Sequence, residues 1–201
     1  VQETELWLVD ANAFNTPTYI TQSTFVNHFD KKKNYIIISH PNLWQSAQTY
    51  ADYRNAYLVN VEELYNQFGY GIQKHPMAIR NFLKYTFSNW TTTPSHLLLL
   101  GKSVQSKDTR DKATVYSHCL IPTMGHFGSD DLMSNRMTSQ GYEPALATGR
   151  LAAQTNADVK AYLDKLMAFD MQQTFSPQPW MKEILHFGGG TDINEQNLLA
   201  S

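Results

Sequence analysis

Residues 34–39, Asn-Tyr-Ile-Ile-Ile-Ser, carry three isoleucines in a row. A strand with one wet face alternates apolar and polar side chains. A strand that stays apolar without a break is covered on both faces, which is the habit of a parallel sheet sandwiched between helices. Residues 56–61 (AYLVNV), 96–100 (HLLLL), 144–149 (PALATG) and 183–187 (EILHF) read as further strands of that sheet, and residues 5–9 (ELWLV) as a short strand ahead of it. Lys31–Lys33, just before the isoleucines, reads as a solvated guard on a sticky strand.

Helical spacing fills the intervals. His40-Pro41 and His75-Pro76 each place a proline at a first helical position, where its missing N–H costs nothing. Trp44, Ala47, Tyr50, Ala51 and Arg54 line the first helix, and Ile79, Phe82, Leu83, Thr86 and Trp90 line a later one. Residues 62–68 form a short helix broken by Gly69-Tyr70-Gly71. Thr155 and Asp158 cap a long helix faced by Val159, Tyr162, Leu163, Leu166, Met167 and Phe169 and closed by Pro177 and Pro179. A last helix starts at about Asn194. Residues 12–23 and 102–114 read as loop, 118–122 (HCLIP) as a short edge strand, and 123–143 as a long Gly/Ser/Asp/Asn-rich excursion of the kind that carries function. Arg54-Asn55 runs into the second strand with almost no connection, where 2–6 residues are usual; residues are expected to be missing there. The pattern is α/β: a mostly parallel sheet with helices on both faces. Such sheets bind ligands at the carboxyl ends of their strands, so the loops after Ser39, Val61, Leu100, Gly149 and Phe187 are the ones to search.

Composition narrows the function classes. Sixteen basic against 18 acidic residues give a net charge of −2, which argues against a nucleic-acid partner. The 12% aromatic content excludes a disordered chain. A single cysteine excludes a disulfide framework within the chain. The apolar runs YIII and LLLL fall far short of a membrane span of about 18 residues. The chain opens on Val1 with neither a basic n-region nor an apolar h-region, and it reads as a piece of something longer, with any address signal outside it.

The candidate chemistry is sparse. Gly101-Lys102-Ser103 lacks the opening glycine of a phosphate loop, since His96 stands at that position. Gly188–Gly190 follow a strand end, where the lack of Cβ atoms lets a ligand approach backbone N–H groups; close chain crossing or a simple turn explains them equally well. Asp192 on the lip of that loop either caps the last helix or receives a cationic group. Cys119 is the only thiol; its neighbours His118 and His126 are poorly placed as bases, and it reads as a buried, inert side chain. The seven histidines contain no zinc-binding spacing, and Asp130-Asp131 have no EF-hand spacing. Tyr50, Tyr53, Tyr57, Tyr65, Tyr70, Tyr85 and Trp90 read as core packing rather than a carbohydrate platform.

The ordered segments NYIIISHPNLWQSAQTYADYR, LVNVEELYNQFGYGI, HPMAIRNFLKYTFSNW, HLLLLG, FGSDDLM, ATGRLAAQT and WMKEILHFGGG resemble the gingipain-type cysteine peptidases and, more closely, the type IX secretion sortases of Bacteroidetes. The resemblance runs from Asn34 to Asn197. It implies a caspase-like fold and peptide-bond cleavage by a Cys nucleophile and a His base, often with bound Ca²⁺. It covers the first α/β subdomain only. The family's His-Gly segment and later Cys do not occur before Ser201, and Cys119 does not match the nucleophile, so no catalytic residue is assigned in this chain. Asp192 falls where Arg-specific members place the acidic residue of the substrate pocket, with Gly189 and Gly190 beside it. Lys102 stands where an acidic residue is usual, Leu132-Met133 where an aromatic is usual, and Ala152 where a proline is usual. No cofactor is expected: Ca²⁺ is implied by the family and not by the spacing here.

The expectation is therefore an N-terminal segment at 1–33 and a caspase-like subdomain at 34–201, truncated before the catalytic His and Cys. It would belong to a secreted or outer-membrane-associated cysteine endopeptidase acting on polypeptides, among them secreted proteins of the type IX system. The alternatives are a non-catalytic binding module of the same fold and a nucleotide-binding α/β domain using Gly188–Gly190.

Overall fold

The computed structural model describes residues 25–137 and 143–184, with residues 10, 22, 23, 192, 193 and 197. Four strands, β1 (Tyr35–Ser39), β2 (Tyr57–Asn60), β3 (His96–Leu100) and β4 (Ala147–Leu151), form one sheet in the order β2-β1-β3-β4. All its pairings are parallel, with Ile37 opposite both Leu58 and Leu98, and Leu98 opposite Gly149. The isoleucine run is explained by what covers it. Ile36 and Ile38 pack with Leu97 and Leu99 beneath α2 (Val61–Phe68) and α3 (Pro76–Asn89). Ile37 packs with Leu98 and Leu100 beneath α1 (Trp44–Arg54) and α6 (Asn156–Phe175). All three isoleucines are fully buried.

The helix starts are set by local hydrogen bonds. The ring Nδ1 of His40 accepts the Asn42 N–H, and that of His75 accepts the Met77 N–H, so both histidines, with their following prolines, are side-chain N-caps. Asn60 does the same for α2 by accepting from the Glu62 N–H. Thr155 and Asp158 form a reciprocal capping box at the start of α6. The first helical turn, Pro41–Leu43, is 3-10, and it turns Leu43 inward in place of the expected Trp44, which is 37% exposed.

The α1–β2 connection needs no further residues. Asn55 takes the left-handed conformation (φ 52°) in which asparagine is tolerated better than most side chains, and the Ala56 N–H bonds back to the Ala51 carbonyl. Its side-chain oxygen accepts from Lys33 Nζ, so one of the three guard lysines is tied down. Residues 102–114 are not all loop: α4 (Ser106–Asp111) forms there, and α5 (Ala113–His118) follows. Residues 118–122 are not a strand. The Leu120 and Ile121 N–H groups both bond the Lys102 carbonyl, which anchors the segment at the end of β3 without a ladder.

The fourth strand starts at Ala147 rather than Pro144. Pro144 has no N–H for a ladder and instead bridges Asn135. Glu183 and Ile184 are outside any strand, and Ile184 is 93% exposed. Residues 185–187, the strand expected at 5–9 and the helix start at Asn194 lie outside the described residues. Of the aromatic set, Tyr50, Tyr65 and Trp90 are buried, Tyr57 and Tyr85 half-buried, and Tyr53 and Tyr70 exposed.

The long helix departs from expectation on part of its face. Val159 and Leu163 are buried, but Tyr162, Met167 and Phe169 are each more than a third exposed. Twenty residues of helix span about 30 Å, whereas five-residue strands span about 16 Å; α6 overhangs the sheet. That geometry sets an expected contrast. Phe82→Ala, at a fully buried ring, lowers stability by about 3–5 kcal/mol. Phe169→Ala on the overhang changes it by less than about 1 kcal/mol. Urea midpoints of the two variants check this.

Candidate functional site

The carboxyl edge of the sheet gathers the ends of all four strands. Arg150, the fourth residue of β4, organises it. Its Nε and Nη2 donate to the two Asp130 carboxylate oxygens at 2.7 and 2.8 Å. Nη1 donates to the Gly101 and Ile121 carbonyls and Nη2 to that of Pro122, at 2.8, 3.1 and 3.1 Å. One guanidinium thus joins the end of β3, the 119–122 segment and the excursion beyond it. Thr123 Oγ1 adds a hydrogen bond to Asp130 at 2.9 Å. Burial pushes the Asp130 carboxyl up, but the Arg150 guanidinium and the Thr123 hydroxyl outweigh it and hold it below the usual carboxylate range. The rest of the excursion is gripped from the other side. Arg80 of α3 donates to the Leu132, Met133 and Asn135 carbonyls and to Asn135 Oδ1.

Beside this knot lies a second polar cluster. His40 follows β1 directly, and its Nε2 is 3.5 Å from Glu62 Oε1 in the first turn of α2. Because Nδ1 accepts the capping N–H, the neutral ring carries its proton on Nε2, facing Glu62. Burial lowers the His40 pKa; Glu62 opposes this and Lys74 adds to it. Lys74, at a left-handed φ of 56°, donates to the Tyr116 carbonyl at 2.5 Å and sits 3.8 Å over the Tyr116 ring. Burial lowers its pKa too, with Cys119 and Glu62 opposing.

Cys119 is 2% exposed. Among the described residues no histidine hydrogen-bonds its thiol. His118 does not oppose it across a strand as expected; it is the last residue of α5, and Cys119 is the residue that ends that helix. Among the described residues a nucleophile–base pair is thus not assembled; Nδ1 of His40 is taken by the Asn42 N–H and its Nε2 faces Glu62. Among the described residues no three His, Cys, Asp or Glu side chains gather to hold a metal ion. Asp130 is the ion-pair partner of Arg150. Asp192 is exposed; Gly188, Gly189 and Gly190 lie outside the described residues.

Sequence reasoning missed Arg150, His40, Glu62 and Lys74 as the residues that shape this edge. The usable cue was the pair of His-Pro steps, where the imidazole, and not only the proline, starts the helix. Nothing local pairs Arg150 with Asp130, twenty positions away.

The sequence model of peptidase family C25 matches residues 28–200. No curated protein sequence matches the chain. Among solved structures, the chain is similar to the dimeric latent PorU of Porphyromonas gingivalis, with a TM-score of 0.54 and 19% identity over 83% of this chain and 21% of that one. It is also similar to the Arg-specific cysteine proteinase gingipain R, with a TM-score of 0.51 and 16% identity over 73% of this chain and 30% of that one. At these identities the likeness is one of fold. The chain spans between a fifth and a third of the length of these two structures.

Replacing Arg150 by Met leaves the Asp130 carboxylate and three carbonyl oxygens short of a partner in a partly buried site; it lowers stability at pH 7 by about 3–5 kcal/mol. Asp130 titrates below its ordinary 3.8 when folded, so the stability it contributes is complete above that value and is lost as pH falls through the depressed one. The gap between the parent chain and Arg150→Met therefore narrows by pH 3, which denaturant titrations at pH 7 and pH 3 measure.

Proposed function

The chain belongs to peptidase family C25, and on that premise we propose that it is the scaffold subdomain of a gingipain-like cysteine endopeptidase of the type IX sortase branch. The observation that carries this is the family match over 28–200 joined to a carboxyl edge built for shape rather than chemistry. Arg150 and Arg80 spend their donors on backbone carbonyls and on Asp130 and Asn135, and Cys119 is buried with no histidine bonded to it among the described residues.

In this reading the cysteine nucleophile and its histidine base come from a part of the parent protein outside this chain. The thiolate attacks the scissile carbonyl, the imidazole protonates the leaving amine, and backbone N–H groups hold the oxyanion. This chain contributes the wall on which that half rests. Asp192, with Gly189 and Gly190, forms the lip that receives the substrate's cationic side chain. The substrates are polypeptides, with secreted proteins of the type IX system among them, and the parent works outside the cell or at the outer-membrane surface. We assign it no cofactor.

Two measurements test this. The 201-residue chain by itself does not cleave Arg or Lys reporter peptides; turnover that Cys119→Ala abolishes overturns the assignment. In the full-length parent, Asp192→Asn slows cleavage after Arg by about 10- to 150-fold relative to cleavage after an uncharged residue, the scale of one charged hydrogen bond. Equal effects on both substrates remove Asp192 from the pocket.

A further inference from the structure

Ahead of β1 the chain crosses the layer made by β2, α2 and α3 as a strap, residues 25–30. Four contacts hold it. The Val26 N–H donates to Gln67 Oε1 at 3.1 Å. His28 Nδ1 and the Tyr57 hydroxyl share a hydrogen bond of 2.9 Å. The Trp90 indole N–H donates to the His28 carbonyl at 2.7 Å. The Thr91 N–H and hydroxyl donate to Asp30.

The strap's sequence, Phe-Val-Asn-His-Phe, inverts the usual order of burial. Phe25 and Phe29 are 67% and 60% exposed, while His28 is 2% exposed. Its ring centroid lies 5.1 Å from that of Phe82, 5.8 Å from that of Phe68 and 6.0 Å from that of Tyr57. Nε2 is buried and meets no hydrogen-bond partner among the described residues. A strap needing only an anchor would put one of its phenylalanines in this apolar pocket. Placing an imidazole there makes the anchor conditional, because a protonated ring carries a second N–H that the pocket cannot satisfy.

We propose that residues 25–30 are an acid-released latch with His28 as its plug. The charged and titratable groups around the ring reinforce this. Lys31, next on the same segment and 5.7 Å over the Tyr57 ring, opposes a second positive charge. β2 presents the Tyr57 phenol. α2 presents Phe68 and, toward Tyr57, Glu63, whose own pKa burial raises. α3 presents Phe82. Asp30, on the strap, is turned to Thr91. Burial and then Lys31 bring the His28 pKa from 6.5 to about 4. The sign follows: the neutral ring holds the latch at full strength above 6.5, and the hold weakens as pH falls toward 4. Release uncovers the Tyr57, Phe68 and Phe82 rings and the Trp90 indole.

The test is hydrogen exchange in the 201-residue chain, with protection factors corrected for intrinsic pH dependence. Between pH 7.5 and pH 4.5, protection at Val26 should fall by about 50- to 100-fold, while interior α3 amides keep theirs. Glu63→Gln should behave like the parent chain. His28→Phe, which fills the pocket without a titratable group, should keep the strap protected at pH 4.5. A strap equally protected at both pH values overturns the latch, as does a fall as large in His28→Phe. So does a fall shared by α3, which is ordinary acid unfolding. If His28→Phe does not fold, ring chemical shifts of the parent chain decide: a His28 that titrates near 6.5 with Val26 still protected overturns it, and one that titrates well below 6.5 supports it.

Discussion

Burial of β1 on both faces is the constraint from which the rest of this fold follows. Ile36 and Ile38 face one layer and Ile37 the other, and none retains contact with water. A strand in that position needs a strand on each side and a helix layer above and below. β2 and β3 supply the first, and the α2–α3 and α1–α6 pairs the second. Parallel pairing then brings every carboxyl end to one edge, so one rim of the sheet collects His40, Asn60, Gly101 and Ala153 from distant parts of the chain.

That rim is closed by charge as well as by the apolar packing of Leu120, Ile121 and Met133. Backbone carbonyls at the end of β3 and along 121–122 have no ladder partner, and a buried carbonyl without a donor is costly. Arg150 supplies the donors with its fixed planar fork, and Asp130 balances its charge. A lysine, a single point of charge, could not bond five oxygens lying around one plane. The same logic recurs where Arg80 caps the carbonyls of 132–135. The first part of the long excursion is therefore held by two arginines, and Asp130 serves the scaffold.

In the proposed function the cysteine and histidine lie outside this chain, and the rim supports that reading. The rim offers shape and fixed dipoles, while its one thiol is buried and its one engaged imidazole serves as a helix cap. The second half of α6 lies largely in solvent. Met171 and Phe175 project past the sheet at 64% and 81% exposure, because the helix is longer than the layer it covers.

Much of this was legible in the chain itself. The unbroken isoleucines announced a doubly covered strand, Phe82 and Leu83 their helix face, and Thr155 with Asp158 the start of α6. The segments that carry the family resemblance include the same strand and helix starts. What could not be read was decided by contacts distant in sequence. Asn55 makes a connection that looked too short because a left-handed residue turns the chain in one step. Residues 118–122 read as a short edge strand ended by Pro122, but a strand needs a partner's ladder, and the Lys102 carbonyl serves two of its N–H groups at once. Nothing in the sequence around His28 marks it, and only the fold closes an aromatic pocket around it. Periodicity and capping are local, acting within a turn or two of chain, so the sequence alone determined β1, β2 and β3 with their two-sided burial, and the starts of α1, α3 and α6. Ion pairs, orphan carbonyls and desolvated rings depend on what the fold brings within about 4 Å, so only the tertiary structure decided that Arg150 would knot the rim, that Asp130 would answer it, and that an imidazole would be sealed where its two flanking phenylalanines were left in water.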